Sequence, residues 1–318
     1  MASFVGIDLS KDNFHAFLLD DRGEAKKAFP NSSKGFEQLV AWMKNRHADD
    51  AHICMEATGA YWEGLAMHLH GLEYCVSVVN PARIKAFAQS ELLRTKTDEV
   101  DAALIARFCK SQLPEAWIPP PPEVRALQAL VRHYQHLKDT RVQQSVYAQS
   151  TQAPAVKTSI EEVLATLDEQ IAQVKRQIRK HFDDHPDLKR KRDLLTSIPG
   201  IGEATASSLL AEIPHIDRFE SAKAVAAFAG LSPRHRRSGT SIHGRPKLCK
   251  TGNARVRKAL YMPAMVACRL NPVLETFGDR LLAAGKHKRL IIGAVMRKLL
   301  VLAYGILRSG RPFDANYA

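Results

Sequence analysis

Four carboxylates stand at positions where a carboxylate is either costly or regularly spaced. Asp8 closes the apolar run Phe4–Asp8 in Gly-Ile-Asp-Leu-Ser, and Glu56 closes another, His52–Glu56, in Cys-Met-Glu-Ala-Thr-Gly. A carboxylate at the end of a buried strand gives up hydration, and something must offset that loss. Asp98 and Asp101, in Lys-Thr-Asp-Glu-Val-Asp-Ala, are three residues apart at the start of a helical pattern, a spacing that projects both side chains from one face. If that helix lies beside the strand ends the four acids converge, and converging carboxylates cannot all stay ionised without a cation. Hard oxygen donors suit Mg2+, with Mn2+ as the alternative. Two such ions about 3.5–4 Å apart clamp the attacking and leaving oxygens of an in-line phosphoryl displacement. Each acid also has a plainer use: Asp98 and Asp101 are favourable first-turn acids for any helix, and Asp8 suits an Asx turn.

A second constellation is basic. Ser238 lies in Arg-His-Arg-Arg-Ser-Gly-Thr-Ser-Ile-His-Gly-Arg, read as a glycine-bearing loop, with Arg234, Arg236, Arg237, Arg245 and Lys247 around it. Guanidinium groups about a hydroxyl bind a phosphate and stabilise the charge that develops when an oxygen attacks it. Serine is common in loops, and Thr240 and Ser241 offer neighbouring hydroxyls, so the residues alone do not single out Ser238; His243 is a candidate proton acceptor. Upstream, Ser197-Ile-Pro-Gly-Ile-Gly202 is similar to the hairpin of helix-hairpin-helix modules. There Gly200 and Gly202 either shape a turn or let backbone N–H groups approach a phosphate.

The charge distribution favours a polyanion. Net charge is +13 over 318 residues, and from Pro186 onward 24 Lys and Arg face 9 Asp and Glu, leaving 22 against 24 before it. Between Ser221 and Leu274 there is no acidic residue. Solvated helix faces usually mix signs, and a one-sign field this dense suits nucleic acid. With 45% apolar residues the chain can build real cores, which excludes a disordered protein. No stretch reaches about 20 uncharged apolar residues, and no signal peptide pattern opens the chain, so no membrane partner and a cytoplasmic location are expected. Cys54, Cys75, Cys109, Cys249 and Cys268 lie singly without a Cys-x-x-Cys pair, and read as buried thiols rather than disulfides or zinc ligands.

The elements that must position these residues follow from periodicity. Phe4–Asp8, His15–Leu19 and a segment near Ala28 read as strands, Phe36–Met43 as an amphipathic helix and His52–Glu56 as a strand. A helix from about Ala60 to Leu69, a strand Cys75–Val79 and helices near Ala82–Gln89 and Asp98–Cys109 complete the series. That order, β-β-β-α-β-α-β-α, matches a ribonuclease-H-like sheet. Pro119–Pro122 form a stiff spacer. Beyond it Leu127, Leu130, Tyr134 and Leu137 repeat helically, and after a polar break near Ser150–Thr158 come Ile160, Leu164, Leu167, Ile171, Val174 and Ile178. This second run is a heptad opened by a capping box at Ser159 and Glu162, suited to an antiparallel hairpin or an intermolecular coiled coil. From Leu188 the chain reads as largely helical.

These motifs together resemble one family. Gly-Ile-Asp-Leu-Ser, Cys-Met-Glu-Ala-Thr-Gly, Val-Val-Asn-Pro, Ala-Phe-Ala-Gln-Ser, Lys-Thr-Asp-Glu-Val-Asp-Ala, Ser-Ile-Pro-Gly-Ile-Gly, Val-Ala-Ala-Phe-Ala-Gly-Leu-Ser-Pro-Arg, Lys-Ala-Leu-Tyr-Met-Pro-Ala-Met-Val-Ala and Gly-Ile-Leu-Arg-Ser-Gly-Arg-Pro-Phe-Asp are similar to the DEDD insertion-sequence transposases, also called bridge-RNA-guided recombinases. The similarity covers nearly the whole chain apart from about Gln143–Lys157. The resemblance implies that Asp8, Glu56, Asp98 and Asp101 are the metal-binding acids and that Ser238 is the nucleophile. It implies an α/β plus α protein in three parts: a ribonuclease-H-like (RuvC-like) nuclease domain over 1–118, a proline linker and coiled coil over 119–187, and a mostly helical transposase domain over 188–318. It also implies donor and target DNA and a noncoding guide RNA as partners, and a homo-oligomer from dimer to tetramer, with acids and serine drawn from different subunits. The rival readings are a metal-dependent junction-resolvase-like nuclease in which water attacks, and a non-catalytic DNA-binding protein.

Overall fold

The first apolar run becomes β1 (Phe4–Leu9), the middle strand of a five-stranded sheet in this computed structural model. The structure describes residues 2–59, 61–92, 97–238 and 242–317, and the side chains of 217, 235–238, 242–246 and 317 lie outside what it describes. The helix expected from about Ala60 therefore opens at a position outside the described residues.

The chain divides into two units, Met1–Pro119 and Pro120–Ala318. In the first, β2 (Asn13–Asp20) and β3 (Gly23–Pro30) meander antiparallel to β1, while β4 (His52–Glu56) and β5 (Cys75–Val79) run parallel, giving the order β3-β2-β1-β4-β5. Strand alternation sorts the two faces. Val5, Ile7, Ile53 and Met55 join one core with Leu39 and Met43 of α1 (Ser33–Lys44) and Leu65 and Leu69 of α2 (Glu63–Gly71). Phe4, Cys54 and Val79 join the other, with Ile84 of α3 (Pro81–Ser90) and Leu104, Ile105 and Phe108 of α4 (Asp98–Gln112). Asp8 shares its parity with Phe4, and Glu56 with Cys54, so both acids fall on the face that α4 covers.

Gly6 sets how closely α4 approaches. A Cβ at this position would stand 2.2 Å from both the Ala102 carbonyl oxygen and the Ala106 nitrogen, so the helix backbone rests on the strand backbone. Helix α4 starts where it does because Thr97 caps it, its Oγ1 accepting from the Val100 N–H at 3.3 Å.

In the second unit α5 (Pro122–Ser150) and α6 (Pro154–Asp184) are joined by three residues and pack on each other as a helical hairpin. The heptad thus pairs within the chain: Val174, Ile178 and Phe182 join the buried core with Val124, Leu127 and Val131, while Leu164, Leu167 and Ile171 are half-buried. The expected capping box is corrected. Pro154 occupies the first turn and its fixed φ starts α6 earlier, which leaves Ser159 inside the helix.

Helices α7 (Pro186–Thr196), α8 (Glu203–Glu212), α9 (Ala222–Phe228), α10 (Ala254–Leu270), α11 (Pro272–Ala283) and α12 (Lys288–Ser309) enclose the rest of that core. Helix α12 is long and apolar enough to cross a bilayer, but Val295, Leu299, Leu300 and Ala303 are fully buried in protein and Arg297 and Lys298 interrupt its middle. The segment read as a loop around Ser238 is instead a two-stranded ribbon, β6 (Pro233–Ser238) and β7 (Ile242–Leu248). The expected set of buried thiols is also corrected: Cys54 and Cys109 are buried, Cys249 and Cys268 are half-buried, and Cys75 is exposed where it opens the edge strand β5.

Gly6→Ala should lower unfolding stability by about 3 kcal/mol or more, because the atoms it meets are backbone and cannot rotate away. Gly305→Ala, within the C-terminal part of α12 and with no neighbouring atom within 4 Å of its added Cβ, should instead stabilise by about 0.5–1 kcal/mol. Urea midpoints check both, and equal midpoints for Gly6→Ala and wild type would mean that α4 does not rest on β1.

Candidate active site

Parallel pairing brings the first two acids together. Ile7 and Met55 are the last register partners between β1 and β4, so Asp8 and Glu56, the next residues on each strand, leave the ladder side by side. Helix α4 delivers the other two from its first turn, and all four line one cleft of about 690 Å3. The opposite strand adds His15, the register partner of Asp8, with its Nε2 3.8 Å from Asp98 Oδ2. Thr58 Oγ1 donates to Glu56 Oε1 at 2.6 Å, and Lys85 of α3 also lines the cleft.

The electrostatics of the cleft are those of an acid among acids. Burial first, then the charges of Asp101, Asp98 and Glu56, push the Asp8 carboxyl up to about 6, against the opposing pull of His15. Among the described residues no three His, Cys, Asp or Glu side chains are gathered closely enough to hold a metal ion as they stand. The donor set nevertheless fits a hard divalent cation, since it is entirely carboxylate and its common charge is what such a cation relieves.

The basic residues come together on the hairpin. Arg234 pairs with Lys247 across the ladder, and both side chains are exposed. Like charges directly opposite each other destabilise a ribbon, so this arrangement suits a surface that meets an anion. Ser238 ends β6 opposite Ile242, and the backbones of Arg236, Arg237, His243 and Arg245 lie on the same ribbon. The side chains of these five residues, and Thr240 and Ser241 altogether, are outside the described residues.

The two glycines of the Ile-Pro-Gly-Ile-Gly turn part company. Gly200 has φ +103, and a Cβ there would stand 2.7 Å from the Cβ of Ala267, so packing against α10 requires a glycine. Gly202 faces open space at the N-terminus of α8, which no side chain caps.

A transposase model of the IS110 DEDD type matches residues 5–151, and a model described as transposase of the IS116/IS110/IS902 family matches residues 192–279. A pilin gene-inverting protein of Moraxella lacunata is 36% identical over 315 residues, 98% of each chain, and its Moraxella bovis counterpart is 36% identical with the same coverage. The chain belongs to the IS110 family of transposases. A transposase for insertion sequence element IS1328 of Yersinia enterocolitica is also similar, at 23% identity over 98% of each chain. As an IS110-family transposase the protein is a DNA recombinase with DNA as its substrate.

The four acids expected from the sequence line this cleft together, and His15 and Lys85, which the sequence did not single out, line it with them. The alternation Phe14-His15-Ala16 carried a usable signal for His15, because antiparallel pairing through a short turn puts it across from Asp8. Lys85 needed the placement of α3, which no spacing gives.

Asp8 binds its proton more tightly folded than unfolded, so in chelator its protonation adds stability as pH falls from about 6 toward about 4, and its charge costs stability above that window. Asp8→Asn should therefore raise the Tm of the chelated protein at pH 7.5, remove that part of the pH dependence, and abolish strand cleavage. A lowered Tm with intact cleavage would sink the acid-cluster account.

Proposed function

We propose that this transposase cuts and rejoins donor and target DNA through a divalent-metal acid site in the first unit and a serine nucleophile in the second. The observation that carries the reading is the convergence of Asp8, Glu56, Asp98 and Asp101 on one cleft, with Asp8 held near 6 by burial and by the other three. The strand order β3-β2-β1-β4-β5, with the acids at the ends of β1 and β4, supports a ribonuclease-H-like, RuvC-like nuclease domain over 1–118. The segment 119–187 serves as linker and helical arm, and 188–318 as the transposase domain.

The four acids would hold Mg2+, or Mn2+, which when bound neutralises the phosphate and lowers the barrier to displacement. Ser238 Oγ attacks the phosphorus of the scissile phosphodiester, the bond from phosphorus to the 3′ oxygen breaks, and the departing 3′ oxygen takes up a proton. A 5′-phosphoserine link results. The 3′-hydroxyl of the exchanged strand then attacks that phosphorus and releases Ser238 with its proton restored. His243 is the candidate to move that proton. Arg234, Arg236, Arg237, Arg245 and Lys247 hold phosphates along the ribbon, and Gly202 offers the uncapped amides of α8 to another. Site choice rests with a noncoding guide RNA paired to both DNAs, and a tetramer synapses them in the cytoplasm.

A second reading concerns outcome rather than chemistry. Relatives that align over 98% of both chains are named for inverting a pilin gene, which favours inversion between two sites of one DNA by the same cut-and-join steps.

Ser238→Ala removes one oxygen and no charge, so covalent protein–DNA adducts should fall by more than about 1000-fold with DNA binding nearly unchanged. Arg236→Ala with Arg237→Ala should instead weaken binding at every sequence and flatten the log-log salt slope by up to about two. Detergent-stable adducts on a plasmid carrying the element and its flanking noncoding sequence measure the first, and salt titrations the second. Normal joining by Ser238→Ala would make water or Ser241 the attacking group and put the resolvase reading first.

A further inference from the structure

Glu212, the last residue of α8, is a buried acid for which the proposed chemistry has no use; its side chain is only 4% exposed. A carboxylate is kept in such a place only with good partners, and here they come from two other elements. Arg132 of α5 donates from Nε to Oε1 at 3.0 Å, with Nη2 3.5 Å from Oε2. Asn253 donates from Nδ2 to Oε2 at 3.1 Å, and Arg255 Nε stands 3.9 Å from Oε1.

Asn253 is a structural junction. Its Oδ1 caps α10 by accepting from the Arg255 and Val256 N–H groups at 2.9 and 3.1 Å, while its own N–H donates to the Phe228 carbonyl at 2.7 Å. Around it the segments entering β6 and leaving β7 are laced together. Cys249 N–H donates to Ser232, Lys250 N–H donates to Gly230, and Arg257 Nη1 donates to the carbonyls of Ala229 and Gly252. Gly252, at φ +141, lies so close that a Cβ would stand 2.3 Å from the Phe228 oxygen. Glu212 ties this knot to α8 and, through Arg132, to α5. A second tie runs from Lys258 of α10 to both carboxylate oxygens of Asp139 on α5, at 2.7 and 2.6 Å.

We infer that Glu212 is a positioning residue for Ser238, fixing the foot of the β6–β7 ribbon against α5 and α8. The inference rests on the serine reading above. Ser238 stands five residues beyond Pro233, roughly 17 Å along an extended strand, so a tilt of about 5° at the foot displaces it by roughly 1.5 Å. A displacement of about 1 Å at a reacting atom costs on the order of 100-fold in rate. A buried, multiply bonded carboxylate at the foot is the kind of contact that suppresses such a tilt.

Two variants of the full-length protein test this, alongside Ser238→Ala. Asn253→Ser keeps an oxygen to cap α10 and deletes the amide that reaches Glu212, changing no charge. Arg132→Met combined with Glu212→Leu replaces the buried pair by apolar groups of similar size, which commonly preserves stability. With the element-bearing plasmid as substrate, both should keep DNA binding within about twofold and Tm near wild type. Both should exchange the amides of Cys249, Lys250 and Asn253 roughly tenfold faster and form adducts at saturating DNA at least about tenfold more slowly. A role in stability alone would leave the adduct rate following Tm. If Ser238→Ala is inactive and the other two variants recombine at the wild-type rate, the Glu212 inference is overturned by itself. If Ser238→Ala recombines normally, it is the serine reading that fails.

Discussion

The acid site depends on one backbone contact, the seat of α4 on β1 at Gly6. Asp8 and Glu56 are brought together by sheet pairing alone, but Asp98 and Asp101 reach them only because α4 can lie directly on the strand. Any side chain larger than hydrogen at position 6 would lift the helix, and the first turn of α4 would carry its carboxylates away with it. Strand parity then settles which face receives the charge. Phe4, Gly6 and Asp8 point toward α4, and Val5 and Ile7 toward α1 and α2, so one short strand serves two cores and a cleft.

Local pattern made most of the first unit legible. Alternation marked the strands, and the three-residue spacing of Asp98 and Asp101 marked a shared helical face that the structure retains. The ribbon around Ser238 was not legible as strands, because Pro233–Ser238 and Ile242–Leu248 are rich in basic residues, contain prolines at 233 and 246, and have no apolar alternation to read. Ser159 misled for the opposite reason: it completed a capping pattern, but Pro154 had already started the helix. Glu212 was invisible since its meaning comes from Arg132 and Asn253, 80 and 41 residues away in the chain. Spacing reports neighbours along an element, not across the core.

The two units share an electrostatic predicament of opposite sign. The cleft gathers four carboxylates, and the ribbon sets Arg234 opposite Lys247 in a stretch without acids. Each arrangement weakens the free protein through repulsion among its own like charges. Proteins tolerate such local conflicts where function needs them.

Asp8 and Glu212 make the distinction sharp, because both are carboxylates withdrawn from water yet their surroundings differ in kind. Glu212 is met by a guanidinium, an amide and a second guanidinium at its rim, so its charge is already answered inside the protein and its use is to hold elements in place. Asp8 is surrounded by Asp101, Asp98 and Glu56, which raise its affinity for a proton and would raise its affinity for any other cation by the same field. A buried acid answered by donors belongs to the architecture. A buried acid answered by more acids is a conflict the fold does not resolve for itself, the mark of a candidate functional site, and Asp8 is such an acid in the lining of the cleft.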